Sequence, residues 1–325
     1  MALFIFNSEN RIFLTLLSAV SLLIPLGLLN IAIYINSVRN NVGTDAQTDF
    51  WNRKVVPEKK YDLIFLGDSR VLTGIDPAVF ENRLNCSAYN AAFAGGGLCE
   101  KIFRHTSQNL LSGKSICNSR VVVVGITPLT MSKDARKNSQ FELLKNKLQK
   151  KSGNTFSEYV RIPFKKIRSK RIKEFFKRSA STRIYHKNGY LERFAKVSKK
   201  AQQSSLHTYT VFFKNYQYSY RSINELCHWI RQWNKEGVTV FAFRPPVNKA
   251  MDSLEDESGK FNFSTVRKVV EQAGGIWLLV DKRDKYNSYD SSHLASAEAA
   301  RLSRDLADKI RSHLFHRPYI LPSSR

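Results

Sequence analysis

Four short apolar runs constrain the fold of this 325-residue chain more than any other feature of its sequence. The runs are Tyr61–Leu66, Val121–Gly125, Val238–Phe243 and Ile276–Asp281. Each is five or six residues long and nearly free of polar side chains. This pattern is typical of strands that are buried on both faces of a parallel sheet.

Helical patterns separate these runs, with apolar residues that recur every three or four positions. The segments are Pro77–Leu84, Leu98–Leu111, Ile223–Lys235, Thr265–Ala273 and Ala295–His313. Strands that alternate with helices predict βαβ units, and therefore a parallel sheet with helices on both faces. Ligands of such sheets bind beyond the carboxyl ends of the strands.

A longer apolar segment runs from Ile12 to Ile35 and contains no charged residue. At about 1.5 Å per residue, a helix of this length spans a hydrocarbon core of about 30 Å. A cleaved signal peptide is the alternative, but its apolar region is usually about 7–15 residues, and the IAIYINS sequence at the end offers no good cleavage site. We therefore predict a transmembrane anchor at 1–36, a juxtamembrane linker at 37–60 and a folded body at 61–325.

The charges that flank this segment do not fix its orientation. Arg11 and the N-terminal amine, offset by Glu9, lie on one side, and Arg39, Arg53 and Lys54 lie on the other. The count of positive charges is close to a tie, and long domains translocate largely regardless of charge.

The net charge is unusually high. Lys and Arg total 52 against 27 Asp and Glu, a formal charge of +25. Such a charge favours nucleic acid, anionic lipid or acidic polysaccharide as a partner. The predicted anchor argues against nucleic acid, so we expect a membrane or an acidic glycan.

Much of the positive charge falls at about 133–215, where the strand–helix alternation breaks. Lys and Arg are interleaved with Phe and Tyr there, as in segments that lie on an interface. We predict a basic helical insertion, with two interpretations open: a solvated, partly disordered excursion, or a surface that touches anionic lipid or polymer. The cations at its centre are Lys165, Lys166, Arg168, Lys170, Arg171 and Lys173.

Four cysteines are present, and none belongs to a CxxC pair or to a cluster with zinc-ligand spacing. We therefore predict neither a metal nor another cofactor. The cysteines are interpreted as small buried apolar residues or as members of an extracytoplasmic disulfide, whose pairing the sequence does not define. They are Cys86, Cys99, Cys117 and Cys227.

Two short motifs point to nucleophilic catalysis. The first is GDSR, in which Ser69 directly follows the first strand on a turn that leads into a helix, so that its hydroxyl can point into the cleft. The second is DSSHL, which places Asp290 three residues before His293, ahead of the last helix. A turn of this length lets the carboxylate reach the imidazole and leaves the other ring nitrogen for the serine. A loop histidine alone is more often structural, but the pairing with GDSR favours catalysis.

These motifs resemble blocks I and V of the SGNH/GDSL hydrolase superfamily, and Asp290–Ile310 is especially similar to its closing motif and helix. The resemblance spans roughly 61–126 and 222–313. It implies a flavodoxin-like three-layer α/β/α sandwich and a Ser–His–Asp set that acts on esters of sugars or lipids. Carried to this chain, Ser69 is the nucleophile, His293 the base and Asp290 the residue that orients it.

The oxyanion hole is less complete in this sequence. The resemblance implies donors from the Ser69 N–H, from a glycine of the second block and from an asparagine of the third. Gly95 is the best match for the glycine, although a merely flexible turn is the alternative. Thr127 stands where the third block carries its asparagine. Losing one such donor typically lowers the rate about 10²–10³-fold, so this departure bears on efficient hydrolysis.

Three further residues are candidates for substrate binding. Arg244 follows the strand at 238–243 and could clamp a carboxylate or phosphate, or else cap loop carbonyls as a structural cation. Asn90 lies in the segment that resembles the second block, and Arg70 lies beside the predicted nucleophile.

Two functions from different classes fit these features. The first is a cell-surface acyl-ester hydrolase or O-acyltransferase that acts on polysaccharide or lipid-linked glycan, with an extracytoplasmic body and a multi-pass membrane O-acyltransferase as its partner. This function resembles that of the single-pass SGNH proteins of alginate acetylation and teichoic-acid D-alanylation. The second is a non-catalytic SGNH-fold protein for glycan binding or envelope assembly, which the missing asparagine and the large insertion favour.

Overall fold

Five parallel strands form the central sheet of the folded body. In chain order, the strands are β1 (Leu63–Leu66), β2 (Ala88–Asn90), β3 (Arg120–Gly125), β4 (Ser181–Tyr185), β5 (Leu191–Ala195), β6 (Val238–Phe243) and β7 (Ile276–Leu278). The sheet has the order β2-β1-β3-β6-β7, while β4 and β5 form a separate antiparallel hairpin. This order is that of the flavodoxin-like doubly wound fold. The predicted parallel sheet is confirmed.

The computed structural model describes residues 46–95, 98–112, 120–134, 140–151, 181–281 and 283–315. The chain divides into two units, 1–49 and 50–325, and the fold described here is that of the second unit. The predicted anchor at Ile12–Ile35 lies outside the described residues. Among the residues that are described, no helix is both long enough and apolar enough to cross a bilayer.

Nine helices with defined bounds surround the sheet in the described part of the chain. They are α1 (Ser69–Gly74), α2 (Pro77–Leu84), α3 (Glu100–His105), α4 (Gln140–Lys151), α5 (Lys199–Lys214), α6 (Tyr220–Lys235), α7 (Lys249–Glu257), α8 (Phe263–Gln272) and α9 (Ser296–Phe315). A π-helical turn at Thr106–Leu110 extends α3. The helices predicted from periodicity are all present, with ends that differ by a few residues, whereas α7 was not predicted.

Alternate residues of each central strand enter two separate hydrophobic layers. Leu63 and Phe65 of β1 pack with α1, α2 and α9, while Ile64 and Leu66 pack with α3, α6 and α8. All four side chains are buried. The sheet is therefore covered on both faces, as a three-layer α/β/α architecture requires.

Parallel pairing brings the carboxyl ends of three strands to one edge of the sheet. Leu66 at the end of β1 lies opposite Val124, and Gly125 at the end of β3 lies opposite Phe243 at the end of β6. The residues that follow these strands begin the loops of the candidate site.

The insertion at 133–215 is only partly helical. It contains α4 and α5, but also the β4–β5 hairpin, which the sequence did not predict. The hairpin strands STRIY and LERFA are short and rich in charge, so neither has the continuous apolar pattern of the central strands. The basic residues from Lys165 to Lys173 lie outside the described residues.

The body begins earlier than the boundary predicted at residue 61. Residues 50–55, assigned to the linker from their polar neighbours, are helical and bury Phe50 and Lys54 completely or nearly so. Lys54 Nζ donates to the carbonyl oxygens of Asn90 (2.5 Å) and Gly189 (3.0 Å). It also lies over the rings of Phe50 and Tyr89 at 4.9 and 5.7 Å. The sequence shows Lys54 as a polar residue, but its whole side chain is enclosed and is part of the core.

Burial lowers the pKa of Lys54 well below its ordinary value. The unfolded chain therefore binds more protons than the folded chain up to a pH of about 10.4, and the stability contribution of this group rises with pH. We expect the unfolding free energy of the wild type, relative to that of Lys54→Met, to increase from pH 7 to 9.5 by up to about 1.4 kcal/mol per unit. Denaturant titrations of both proteins at several pH values test this, and a difference that stays flat would contradict it.

Three of the four cysteines lie in the described part of the chain. Cys99 and Cys227 are buried and Cys86 is partly buried, while Cys117 lies outside the described residues. Burial raises the pKa of the Cys227 thiol, as expected of a thiol in a core.

Candidate active site

The turn after β1 places Ser69 at the first position of α1. Asp68 caps this helix, and its Oδ1 accepts a hydrogen bond from the Arg70 N–H (2.9 Å). A side chain at Gly67 would collide with the core, because an added Cβ would lie 2.4 Å from Val71 Cγ2. The tight turn therefore needs glycine, and it leaves the Ser69 N–H among the helix donors that have no acceptor within the helix.

Ser69, His293 and Asp290 form a continuous chain of hydrogen bonds. Ser69 Oγ lies 2.7 Å from His293 Nε2, although the two residues are 224 positions apart. On the other side of the ring, His293 Nδ1 lies 2.8 Å from Asp290 Oδ2. This geometry lets the imidazole accept the serine proton while the carboxylate holds the ring in the required tautomer.

The Asp290 carboxylate is held in its ionised form. Burial alone would raise its pKa, but hydrogen bonding to His293, the charge of that ring and the N–H groups of His293 and Ser292 outweigh burial and leave the pKa lowered. Those two N–H groups donate to Asp290 Oδ1 at 2.8 and 3.0 Å. The same turn thus orients the carboxylate and the histidine together.

The loop that carries Asp290 contains a strained residue. Ser291 is buried and has φ +74°, a conformation that non-glycine residues seldom adopt. Asn248 holds it in place through two bonds, from its N–H to the Ser291 carbonyl (3.2 Å) and from its side chain to Ser291 Oγ (2.9 Å). Strain of this kind persists only where the surroundings impose it, and it is common at active sites.

A buried ion network supports the loop from beneath. Arg70 Nε donates to Ser292 Oγ (3.0 Å), and its guanidinium lies 2.6 Å from Glu255. Arg244 lies on the other side of the same carboxylate at 3.1 Å. Burial alone would lower the pKa of Arg70, but the charges of Glu255, Tyr209 and Asp68, together with a hydrogen bond to Glu255, outweigh burial and raise it. The network therefore joins α1, α7 and the triad loop.

The basic insertion also reaches this loop. Ser292 Oγ lies 3.2 Å from the hydroxyl of Tyr209 on α5. Ser291 Oγ donates to the carbonyl oxygen of Gln202 (3.4 Å), which lies in the first turn of the same helix. On the opposite side, Gln140 at the start of α4 accepts from the N–H of Ala94, next to Gly95. The insertion therefore contributes to the framework of the site.

The structure gives the predicted substrate-binding residues different roles. Arg70 and Arg244 are buried, and both guanidiniums are neutralised by carboxylates of α7 rather than left for a ligand. Arg244 also pairs with Asp252 (2.8 Å), which replaces the predicted carbonyl cap. Asn90 is fully buried, and its amide donates to two carbonyl oxygens around α1, each at 2.9 Å. The partners of these three side chains are therefore groups of the protein itself.

Thr127 likewise has a structural role. Its hydroxyl donates to Asp68 Oδ2 (2.6 Å) and accepts from the Thr130 N–H (3.1 Å), and the residue is fully buried. Because Asp68 caps α1, this bond fixes the turn before the serine. A third-block donor to an oxyanion is therefore not supplied by this hydroxyl.

Gly95 lies in an exposed part of the loop that follows β2. The start of this loop is held at the Ser69 turn, because the Phe93 N–H donates to the Gly67 carbonyl oxygen (3.2 Å). The placement leaves Gly95 as a candidate oxyanion donor alongside the Ser69 N–H.

Sequence reasoning missed Glu255, Asn248 and Tyr209. Asn248 caps α7, because its side-chain oxygen accepts a hydrogen bond from the Met251 N–H (2.9 Å). Asparagine is a preferred residue at the cap of a helix, so the sequence could have indicated this role. Glu255 lies in an acidic run, LEDE, that reads as solvent-exposed. Within the described ranges, no group of three or more His, Cys, Asp or Glu side chains could hold a metal ion.

Comparisons with solved structures give weak likenesses. No family model matches the chain, and no curated protein matches it. Among solved structures, it is similar to a lipase/acylhydrolase from Enterococcus faecalis, with 12% identity and a TM-score of 0.38, over 79% of this chain and 98% of that one. It is also similar to a candidate platelet activating factor from Streptococcus pneumonia, with 11% identity and a TM-score of 0.39, over 87% and 99%.

Proposed function

We propose that this protein is a serine acyl-ester hydrolase or O-acyltransferase of the SGNH type. The observation that carries the proposal is the unbroken hydrogen-bond chain from Ser69 through His293 to Asp290, with 2.7 and 2.8 Å contacts. The position of Ser69 at the start of a helix, beyond the carboxyl end of a central strand, supports it as well. So does the resemblance of the two motifs to those of the superfamily.

In the proposed mechanism, His293 Nε2 takes the Ser69 proton as the serine oxygen attacks the ester carbonyl. The N–H of Ser69, at the positive end of α1, stabilises the oxyanion that forms. His293 then gives its proton to the departing alcohol, which leaves an acyl group on Ser69. Water or a second alcohol, activated by the same imidazole, attacks this acyl-enzyme and releases the acid or a new ester. Hydrolysis and transfer differ only in that acceptor.

The proposed setting is the cell membrane. The uncharged segment at Ile12–Ile35 supports a single-pass anchor, and the net charge of +25 supports a body next to an anionic surface. The resemblance to single-pass SGNH proteins supports an extracytoplasmic body. Acylated polysaccharide or lipid-linked glycan is the substrate class that we propose, with a multi-pass O-acyltransferase as a partner.

A second candidate function is non-catalytic glycan binding or envelope assembly. The observation that favours it is the engagement of the Thr127 hydroxyl by Asp68, at the position where the superfamily supplies an asparagine donor. A hole with one donor fewer would stabilise the oxyanion less well.

A charged phosphonate that cannot cross membranes tests both the chemistry and the setting. Applied to wall-stripped cells that express the full chain, it should label Ser69, and a Ser69→Ala protein should remain unlabelled. Labelling only after lysis would contradict the extracytoplasmic body and leave the enzyme proposal intact. No labelling of Ser69 in folded protein, either in cells or in lysate, would favour the non-catalytic function.

A further inference from the structure

The β4–β5 hairpin lies beside the triad. Strand β5 contacts both α1, which begins at Ser69, and α9, which follows His293. Glu192 on this strand accepts a hydrogen bond from Ser296, the first residue of α9. Just past the strand, the Ser198 N–H donates to the Tyr289 carbonyl oxygen (3.1 Å), next to Asp290. The hairpin therefore borders the acid–base side of the site.

Two arginines face each other across this hairpin. Arg183 on β4 and Arg193 on β5 are directly paired, and Tyr185 and Leu191 form the next pair on the same face. Leu191 is buried in the core, whereas Arg193 is partly buried and Arg183 is exposed, so the arginines lie where this face of the hairpin meets solvent. Directly opposed side chains have Cβ atoms about 4.5–5.5 Å apart, and like charges in such a pair are destabilising.

No protein group in the described chain neutralises this pair. Neither arginine forms an ion pair with a described carboxylate, and Arg193 Nε is buried without a hydrogen-bond partner. The nearest acidic residues are already engaged, since Glu192 pairs with His186 (2.8 Å) and Asp290 with His293. Two directly opposed arginines without a counter-ion form a candidate site for an anion, which each guanidinium can bind through two N–H groups.

The charge of this pair acts on Tyr289, which lies next to the catalytic histidine. The Tyr289 ring stacks on the His293 ring with centroids 6.1 Å apart. Burial raises the pKa of Tyr289 and the charge of Asp290 adds to this effect, while Arg193 and Arg183 oppose it. An anion bound by the arginines would thus lie one aromatic ring away from the acid–base pair.

We propose that Arg183 and Arg193 bind an anionic group, a carboxylate or a phosphate, on the ester that Ser69 attacks. The proposal rests on the proposed function and narrows its substrate to acidic esters. The arginines contribute to binding and register of the ester, and they take no part in proton transfer. Uncharged esters of the same sugar would reach Ser69 without this contact.

Three matched acetyl esters test this selectivity in the full-length protein. Acetylglucose is neutral, acetylglucuronate replaces its hydroxymethyl group by a carboxylate, and acetylglucose 6-phosphate carries a phosphate. We expect the wild type to favour an acidic ester by at least about tenfold in kcat/KM, and the better of the two identifies the anionic group. Arg183→Gln/Arg193→Gln should lose about 10- to 100-fold on that ester and stay within about twofold on acetylglucose.

A charge-matched control is Lys235→Gln/Lys268→Gln, which removes two exposed cations on α6 and α8, away from the triad. It should keep the wild-type preference. Equal loss on all three esters in the arginine variant, or a wild type without preference, would overturn the proposal.

Binding measured in the Ser69→Ala background separates this inference from the proposed function. Calorimetric titration with acetylglucuronate and acetylglucose 6-phosphate does not depend on turnover. If the wild type hydrolyses no ester but anion binding is lost in Arg183→Gln/Arg193→Gln, the anion site is retained and the enzyme proposal is rejected. If ester hydrolysis requires Ser69 but anion binding is unchanged in Arg183→Gln/Arg193→Gln, only the anion site is rejected.

Discussion

Replacing Ser69 with alanine should lower kcat for ester hydrolysis by about 10⁴- to 10⁶-fold while the protein stays folded. The serine oxygen is the atom that the 2.7 Å contact to His293 Nε2 activates, and alanine leaves the imidazole nothing to deprotonate. In serine hydrolases, loss of one triad member removes nearly all of the triad contribution. Initial rates of acetyl ester hydrolysis, with the unfolding free energy measured in parallel, check this expectation.

The triad should also behave as a unit. The double variant Ser69→Ala/His293→Ala should have a kcat within about threefold of that of Ser69→Ala alone, because the effects of residues that act together are strongly non-additive. Ser264→Ala, which alters an exposed serine near the start of α8, serves as the matched control and should retain full activity. Activity that survives Ser69→Ala within tenfold would show that another group attacks the ester.

The sheet and the hydrogen-bond chain of Ser69, His293 and Asp290 could be predicted because their signals are local. The run at 63–66 is buried on both sides of the sheet, so its whole sequence is apolar. Ser69 lies at the turn after this strand and His293 lies just before the last helix, and a short motif marks each residue. Strand β2 was missed because its three residues, AYN, include a polar side chain and are too few to show a pattern.

The surroundings of the triad could not be predicted, because they depend on tertiary pairing. Arg70 and Arg244 read as ligand-binding cations in sequence, but Glu255 and Asp252 pair with them from a helix that looks exposed. Lys54 reads as part of a polar linker, although carbonyl oxygens and aromatic rings enclose it. In each case, the sequence shows the charge and only the fold shows its partner.

Loss of the Glu255 side chain should reduce stability strongly. Its side chain is fully buried between Arg70 and Arg244, so alanine would leave two guanidiniums in the core without this carboxylate. Breaking a buried ion pair by removing one partner typically costs about 3–5 kcal/mol, because the desolvated charge that remains has no compensation. We expect Glu255→Ala to lower the unfolding free energy by about that amount in denaturant titrations.

Asp256→Ala is the matched comparison, because this neighbour also pairs with Arg244 (3.0 Å) but is 56% exposed. Solvent screens such a pair, so its loss should cost about 1 kcal/mol or less. If Glu255→Ala does not fold, Glu255→Gln keeps the shape of the side chain and allows the same comparison. Equal effects at positions 255 and 256 would contradict the central place of the Arg70–Glu255–Arg244 network. A larger loss of unfolding free energy at position 255 than at position 256 would show that the network beneath the loop of Asp290 and His293 is a main source of stability. We expect this result because the Glu255 carboxylate is buried between two cations.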